Sequence, residues 1–280
     1  MTVKVVTDSA SDITREDAEK FGIEIVPVYL RFGEQVYRDN IDITGDEFYT
    51  RLTSDPVHPS TASPSPGDFS TIYEKLSAET DEIVSIHVTS KHSSVYSSAL
   101  AGMKSIKKKN CRIEVIDSKG VSMWQGLIAI AAAKAAAAGG NLNNVMNKVN
   151  ETISQLRAVA LLDTIKYIVK GGRLGMAAPA ISKIESILHV KLMLALHDGE
   201  LRPSGMVRSQ KKGIDKIRDM IKSASHLEEL AIGYTTTIEE ARALSEYATS
   251  LLPNLVPHIY RLGPVLGVHA GPGALVTVFK

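Results

Sequence analysis

The chain has 280 residues, enough for two ordinary domains or one large one, and its 44% hydrophobic content marks it as globular. Lys and Arg number 32 against 31 Asp and Glu, a net charge of +1, which argues against a nucleic-acid binder held mainly by phosphate contacts. The single cysteine, Cys111, excludes an intrachain disulfide framework and a cysteine-based zinc site, and it fits a reducing cytosol.

The N-terminal stretch MTVKVVTDSASD has no apolar signal core, so export is not expected. Residues 3–7 read as a strand that ends in the polar cluster Asp8-Ser9-Ala10-Ser11-Asp12. Thr14 and Asp17 have capping-box spacing and open a helix. Residues 23–32 are apolar and extended, and Gly33-Glu34 reads as the turn of a hairpin with residues 35–38. Thr44 and Glu47 open a second helix to about residue 52, and the Pro- and Ser-rich residues 55–67 read as a loop. Ser65-Pro66-Gly67-Asp68 is a helix start, with Ser at the cap and Pro at the first helical position.

Residues 83–88 and 113–116 are strands, and 94–108, 121–138 and 142–155 are helices. The apolar stretch between Gly126 and Gly140 contains Lys134 and falls short of the roughly 20 apolar residues of a membrane span. It reads as a buried, Ala-rich helix, and no integral membrane segment is expected. This strand–helix alternation predicts a mainly parallel sheet covered on both faces.

Further on, 159–162 is a strand, 165–170 a helix stopped by Gly171-Gly172, and 178–188 a helix. Residues 190–196 and Leu201 flank Asp198-Gly199, a hairpin turn that makes the second sheet mixed. Helices at 210–223 and 239–251 alternate with strands at 230–234, 258–262 and 275–279. The expected architecture is therefore α/β in two domains, 1–158 and 159–280.

Common catalytic signatures are missing. The chain has no phosphate loop of the G-x-x-x-x-G-K-[ST] type, no G-x-G-x-x-G after a strand, no G-x-S-x-G elbow and no H-E-x-x-H. Its eight histidines lack metal-ligand spacing. Three features remain. Hydroxyl-rich loops at 8–12, 60–65 and 89–94 follow predicted strands or precede helices, at the sheet edge where open α/β folds bind ligands. Hydroxyls and free backbone N–H groups there suit a small anion such as a carboxylate, and they equally suit plain helix capping. Lys170-Gly171-Gly172-Arg173-Leu174-Gly175 reads as a glycine helix stop, or as an exposed Arg173 offered to a partner or phosphate. Residues 262–275 hold Gly and Pro at a density that implies a tight turn with close backbone approach, with His269 inside it as a structural residue or a ligand.

In this order the segments resemble the DegV family. Asp8-Ser9-Ala10-Ser11-Asp12 matches its D-S-x-x-D start, and Thr61 to Phe69 its T-S-x-P-S-P-G-[DE]-F loop. Ser90 to Ala99 resembles S-x-x-S-G-T-Y-x-S-A, Gly171 to Gly175 the G-G-R-[IL]-G corner, and Gly263 to Leu275 the G-P-x-x-G-x-H-x-G-P-G-A segment. The resemblance spans the whole chain. It implies a bacterial, cytoplasmic lipid-binding protein that is not itself an enzyme and uses no cofactor or metal. A long-chain fatty acid would lie in an apolar tunnel between the two domains. Its carboxyl group would be presented to the separate, ATP-using catalytic subunit of fatty acid kinase for acyl-phosphate formation. The family's carboxyl-binding hydroxyls fall on Thr61 and Ser93, flanked by Ala62 and Ser94. Its histidine falls on His269 and its kinase-docking arginine on Arg173. Ala62 stands where the family has Ser, and Ser94-Val95 where it has Gly-Thr.

The alternative is a phosphotransfer enzyme of the dihydroxyacetone-kinase type. That chemistry calls for metal-binding carboxylates, for which Asp8, Asp12, Asp39, Asp42 and Asp46 are the candidates; in sequence they read as caps and solvated turns. A regulatory protein that senses a lipid is a third reading.

Overall fold

The structure is a computed structural model that describes residues 2–107, 110–174, 190–224 and 226–280. The chain runs β1 (Lys4–Asp8), α1 (Arg15–Phe21), β2 (Ile23–Val26), β3 (Tyr29–Phe32), β4 (Gln35–Arg38), α2 (Gly45–Ser54) and β5 (Ser60–Ala62). It continues through α3 (Pro66–Ser77), β6 (Glu82–His87), α4 (Val95–Ser105), β7 (Arg112–Asp117), α5 (Met123–Ala137) and α6 (Leu142–Gln155). Then follow β8 (Arg157–Leu162), α7 (Lys166–Lys170), β9 (Lys191–His197), β10 (Glu200–Val207) and α8 (Gln210–Ser223). The last elements are β11 (Leu230–Tyr234), α9 (Ile238–Leu251), β12 (His258–Arg261), α10 (Pro264–Ala270) and β13 (Leu275–Phe279). The helix expected over 178–188 lies outside the described residues. Two compact units result: Met1–Leu30, Val36–Ile41 and Thr61–Gln155 form one, and Arg31–Gln35, Asp42–Ser60 and Leu156–Lys280 the other.

The first unit is built on four parallel strands in the order β2-β1-β6-β7. Consecutive residues Val5 to Asp8 and Ile83 to His87 are all buried. Neighbouring side chains of a strand point to opposite faces, so both faces are covered. The expected caps are in place: the Thr14 and Thr44 hydroxyls accept from the Asp17 and Glu47 N–H groups at 3.1 and 3.2 Å. Ser65 and Asp68 make a full capping box at the head of α3. Helix α5 is buried along nearly its whole circumference, as its Ala-rich composition implies.

Segment 55–67, read as loop, contains the short strand β5, which joins β3 and β4 in a three-stranded sheet of order β4-β3-β5. Three residues are too few to show period-two patterning, which is why sequence did not reveal it.

Three of the five aspartates depart from the solvated turns expected of them. Asp8, Asp12 and Asp39 are buried, at 0%, 6% and 1% exposure. Asp8 Oδ1 accepts from the Ala10 N–H at 3.0 Å. Its Oδ2 accepts from the Val88 N–H at 3.0 Å, from His87 Nδ1 at 3.0 Å and from Gln125 Nε2 at 2.9 Å. One carboxylate thus ties the end of β1 to the end of β6 and the first turn of α5. Asp12 Oδ2 accepts the Ser122 hydroxyl at 2.6 Å. Ser9 Oγ accepts the Val28 N–H at 3.0 Å, and the Val28 carbonyl accepts the Asp39 N–H at 2.9 Å, bringing the Asp39 carboxyl beside the Asp8–Asp12 turn.

Burial pushes the Asp39 carboxyl up from 3.8 to about 8, and the charges of Asp12 and Asp8 add to the shift. The nearby Ser9 hydroxyl and Asn40 backbone act in the opposite sense without cancelling it, and neither carboxyl oxygen completes a hydrogen bond among the described residues.

The second unit carries a mixed six-stranded sheet, β10-β9-β8-β13-β11-β12. Every neighbouring pair is antiparallel except β11 and β12. The β9–β10 hairpin turns at Asp198 and Gly199, with φ of 50° and 84°, the geometry that an Asp-Gly dipeptide favours. Val159, Leu161, Ile217, Ile232, Leu244 and Leu275 lie in its core, supplied by strands together with α8 and α9. Helix α2 packs in the same unit. The Tyr49 hydroxyl donates to the Leu262 carbonyl at 3.0 Å, and Arg261 pairs with Asp46 while its guanidinium lies 5.0 Å from the Tyr49 ring centre.

The glycine-rich segment 262–275 differs from the tight turn expected. It contains helix α10, with Gly263 as cap and Pro264 at its first position, and the turns follow at Gly271 and Gly273 with φ of 73° and 71°. Close approach is nonetheless present. A Cβ at Gly267 would lie 2.6 Å from the Phe48 ring and 2.7 Å from the Tyr49 hydroxyl.

Two outcomes are expected. Asp8→Asn conserves volume but turns an amide NH2 or a neutral oxygen toward donors that now meet a carboxylate. Urea unfolding should show a loss of roughly 3–5 kcal/mol, and a loss below about 1 kcal/mol would remove Asp8 from this role. For Asp39 the native state keeps a proton that the unfolded chain releases near 3.8, so this group's contribution makes stability fall as pH rises from about 4 to about 8 and level off above. Asp39→Asn should flatten that decline and stabilise the protein at pH 8 by on the order of 1–3 kcal/mol. Parallel wild-type and variant melting profiles across pH 5–9 would contradict the assignment.

Candidate functional site

Of the three hydroxyl-rich loops, the first is consumed by the fold. Asp8, Ser9, Ser11 and Asp12 are buried and their side chains hold backbone or side-chain partners within the first unit. That loop is a structural clasp and not a ligand edge.

The other two loops meet. Thr61 and Ala62 end β5, and Thr61, Ala62 and Ser63 are all half-buried. The loop before α4 spends part of its polar capacity locally. Thr89 Oγ1 accepts the Lys91 N–H at 3.3 Å, and the Ser90 hydroxyl bonds Asp117. Ser93 Oγ accepts the Val95 N–H at 3.3 Å, satisfying a first-turn donor of α4. Ser94 occupies the N-cap of α4, yet its side chain makes no capping bond. Its hydroxyl lies instead 2.8 Å from that of Ser63, bridging the loops.

Packing also holds the two helices together. A Cβ at Gly102 would lie 2.6 Å from Phe69 Cβ and 2.7 Å from the Pro66 carbonyl, so α4 rests on the first turn of α3 as only glycine permits. Through the Ser63–Ser94 bond the loop that leads into α3 meets the N-cap of α4, whose first turn has the partial positive charge of its N–H groups. The first turn of α4 contains no acidic residue. Thr61, Ala62, Ser93 and Ser94, all expected at a head-group site, are thus gathered on adjoining loops of the first unit. The arrangement offers neutral hydroxyl and N–H donors to an anion.

His269 and Arg173 belong to the second unit. His269 lies in the last turn of α10, half-buried. It packs directly on the glycine corner: a Cβ at Gly171 would lie 2.1 Å from His269 Nδ1. Gly171 has an ordinary φ of −72°, so it is glycine for space, whereas Gly172, at φ 65°, is glycine for conformation. Two motifs that are a hundred residues apart in sequence are therefore one structural corner. Arg173 was expected exposed and is half-buried, its guanidinium donating to the Gly171 carbonyl at 3.3 Å. Gly175 lies outside the described residues.

Two residues absent from the sequence reading join this corner. Tyr167 presses on Gly271, where a Cβ would lie 2.2 Å from its ring. His58 lies with its ring centre 5.8 Å from that of Tyr167. Burial, then Lys170 and Lys166, holds the His58 imidazole below its ordinary value. Burial raises the Tyr167 hydroxyl. No spacing rule links these side chains to His269, which is why they escaped notice.

Of the carboxylates offered for a metal, Asp8, Asp12 and Asp39 lie near one another but are buried within the first unit. Asp42 and Asp46 are exposed, and Asp46 is paired with Arg261. Among the described residues there is no group of three or more His, Cys, Asp or Glu able to hold a metal ion. Nor is any helix among them long and apolar enough to cross a membrane.

Comparison with known proteins covers the whole length. A DegV domain-containing protein of Caldanaerobacter subterraneus subsp. tengcongensis is 34% identical over 99% of this chain and 98% of its own. The crystal structure of DegV from Bacillus subtilis, described as a fatty acid binding protein, superposes with a TM-score of 0.90 at 28% identity, covering 100% of this chain and 99% of that one. A stearic acid-binding protein from Eubacterium ventriosum superposes with a TM-score of 0.89 at 26% identity, covering 99% and 98%. The family model described as "Uncharacterised protein, DegV family" matches residues 2–280, and the chain belongs to the DegV family.

Proposed function

We propose that this protein binds one long-chain fatty acid and presents its carboxyl group to a separate, ATP-using kinase subunit that forms the acyl-phosphate. The observation that carries the first part is the full-length likeness to the Bacillus subtilis and Eubacterium ventriosum proteins, both described as binding fatty acids. The bridged hydroxyl loops supply a chemical counterpart, since an anion is served by Thr61 and Ser93 hydroxyls and by N–H groups at the start of α4. In this reading Thr61 and Ser93 hold the carboxylate, Ala62 and Ser94 flank it, and His269 supports it. Arg173, anchored to the Gly171 carbonyl, meets the kinase subunit.

The energetics favour retention of the ligand. Each buried CH2 contributes about 0.8 kcal/mol, so a chain of about fourteen gives on the order of 11 kcal/mol before the costs of association. The head-group bonds add selectivity to an affinity set by the chain. This protein contributes binding and presentation, and the phosphoryl chemistry belongs to the kinase subunit, which places the handover in the cytoplasm where ATP is found.

The test is direct. Organic extracts of freshly purified protein should contain roughly one fatty acid per chain, and added hexadecanoate should raise the melting temperature of delipidated protein. Absence of both overturns the reading, and a shift with Mg-ATP in their place would favour a phosphotransfer enzyme. Thr61→Ala and Ser93→Ala should each weaken fatty-acid binding about 10- to 150-fold, the equivalent of one hydrogen bond to a charged group. A loss of fold stability alone, with affinity unchanged, would reduce Ser93 to a helix cap. Arg173→Ala should keep its bound lipid and lose acyl-phosphate formation with the kinase subunit; loss of the lipid would place Arg173 at the ligand instead.

A further inference from the structure

Ser63 has no role in the reading above, yet it makes the hydrogen bond that joins the two head-group loops. Its position follows from the chain. Ser63 precedes Pro64, which restricts it to extended backbone, so it prolongs the direction of β5. In extended chain, side chains two residues apart emerge on the same side, which puts Ser63 on the side of Thr61 and Ala62 on the other. From that side its hydroxyl reaches Ser94 at 2.8 Å.

Ser94 is available for this contact because its hydroxyl does not cap the helix. At an N-cap, a serine hydroxyl usually accepts a first-turn N–H. Here Ser93 Oγ accepts the Val95 N–H, and the Ser94 side chain makes no capping bond. The same arrangement leaves Ser93 with its hydroxyl proton to donate.

The pair has a definite donor capacity. Two hydroxyls that bond to each other spend one proton between them and retain the other, whichever is the internal donor. A hydroxyl already accepting a hydrogen bond is also the stronger donor. We infer that Ser63 and Ser94 act as one unit that fixes the separation of the Thr61 and Ser93 hydroxyls and so sets the preference of this end of the site for a carboxylate over an uncharged head group. The inference rests on the fatty-acid reading and extends it to Ser63, a positioning residue acting through Ser94.

The experiment measures affinities of the delipidated full chain for hexadecanoic acid and hexadecanol. It compares wild type, Ser63→Ala, Ser94→Ala, the double variant and Ser94→Thr. Each single alanine variant should lower the acid-to-alcohol affinity ratio about 3- to 10-fold, the effect of one neutral hydrogen bond. The double variant should fall no further than either single, because the pair is one unit. Ser94→Thr, which restores a hydroxyl, should keep the wild-type ratio. An unchanged ratio in both single variants, or losses that multiply in the double, overturns the inference while leaving fatty-acid binding intact. A wild-type chain that binds neither ligand overturns the fatty-acid reading, and this inference with it.

Discussion

The Asp8 carboxylate is buried at the end of β1 and accepts hydrogen bonds from four donors on three segments. Leaving a carboxylate in such a place without partners would cost several kcal/mol, so those segments are constrained to keep their donors on it. The constraint extends inward. His87 Nδ1 faces Asp8, His87 Nε2 lies 2.7 Å from Ser85 Oγ, and Ser85 Oγ lies 2.7 Å from the Tyr73 hydroxyl. One arrangement gives each of these protons an acceptor. Tyr73 donates to Ser85, Ser85 donates to His87 Nε2, and Nδ1 carries the proton that goes to Asp8. Though it has the residue types of a nucleophilic triad, the chain of contacts is fully buried, so it fixes β6 against α3 and β1. The loops that leave these elements, including the one carrying Ser93, inherit that rigidity.

The second unit reaches the same end by a different route. Its corner is held by glycines that admit a ring or side chain where a Cβ would clash: Gly171 beneath His269, Gly271 against Tyr167, Gly267 against Phe48 and Tyr49. Adding even a methyl group at these places would force aromatic side chains out of a packed interior. Polar bonds close the turn: the Gly273 N–H donates to Thr236 Oγ1 at 2.9 Å, and Gln210 Nε2 donates to the Gly273 carbonyl at 3.0 Å. His269 is therefore set by steric fit from below and by the turn that follows it.

Local signals carried most of this fold. The caps at Thr14, Thr44 and Ser65, the Asp198-Gly199 turn and the alternation of strands and helices depend on near neighbours, and near neighbours are what a sequence displays. What escaped depends on distant contacts. Periodicity makes α2 an amphipathic helix but does not say whose core it joins; contacts such as the Tyr49 bond to the Leu262 carbonyl and the Asp46–Arg261 pair show that it packs in the second unit. The motif glycines were conspicuous, while the reason for Gly171 required His269 on top of it. The polar cluster 8–12 looked like a ligand edge because aspartate and serine at a strand end are equally suited to binding and to clasping. Burial decides between them, and burial is a property of the whole fold. Of the residues proposed for the head group, Thr61 and Ser93 are named by a resemblance; the Ser63–Ser94 bridge belongs to this chain's own geometry.

The chemistry of the hydroxyl edge bears on what such a site is for. A guanidinium would grip a carboxylate in a two-pronged, charge-assisted pair and draw electron density from the oxygens. Thr61, Ser63, Ser93 and Ser94 are neutral, and Ser94 is exposed. Neutral donors orient a carboxylate while leaving its charge uncompensated, and an oxygen that keeps its charge keeps its nucleophilicity toward phosphorus. A binder meant only to sequester its ligand would gain from an arginine at this position. A binder meant to hand over a reactive carboxyl group gains from holding it by the chain and leaving the head weakly tied. The proposed division of labour, with affinity in the acyl chain and orientation in a few hydroxyls, follows from that difference.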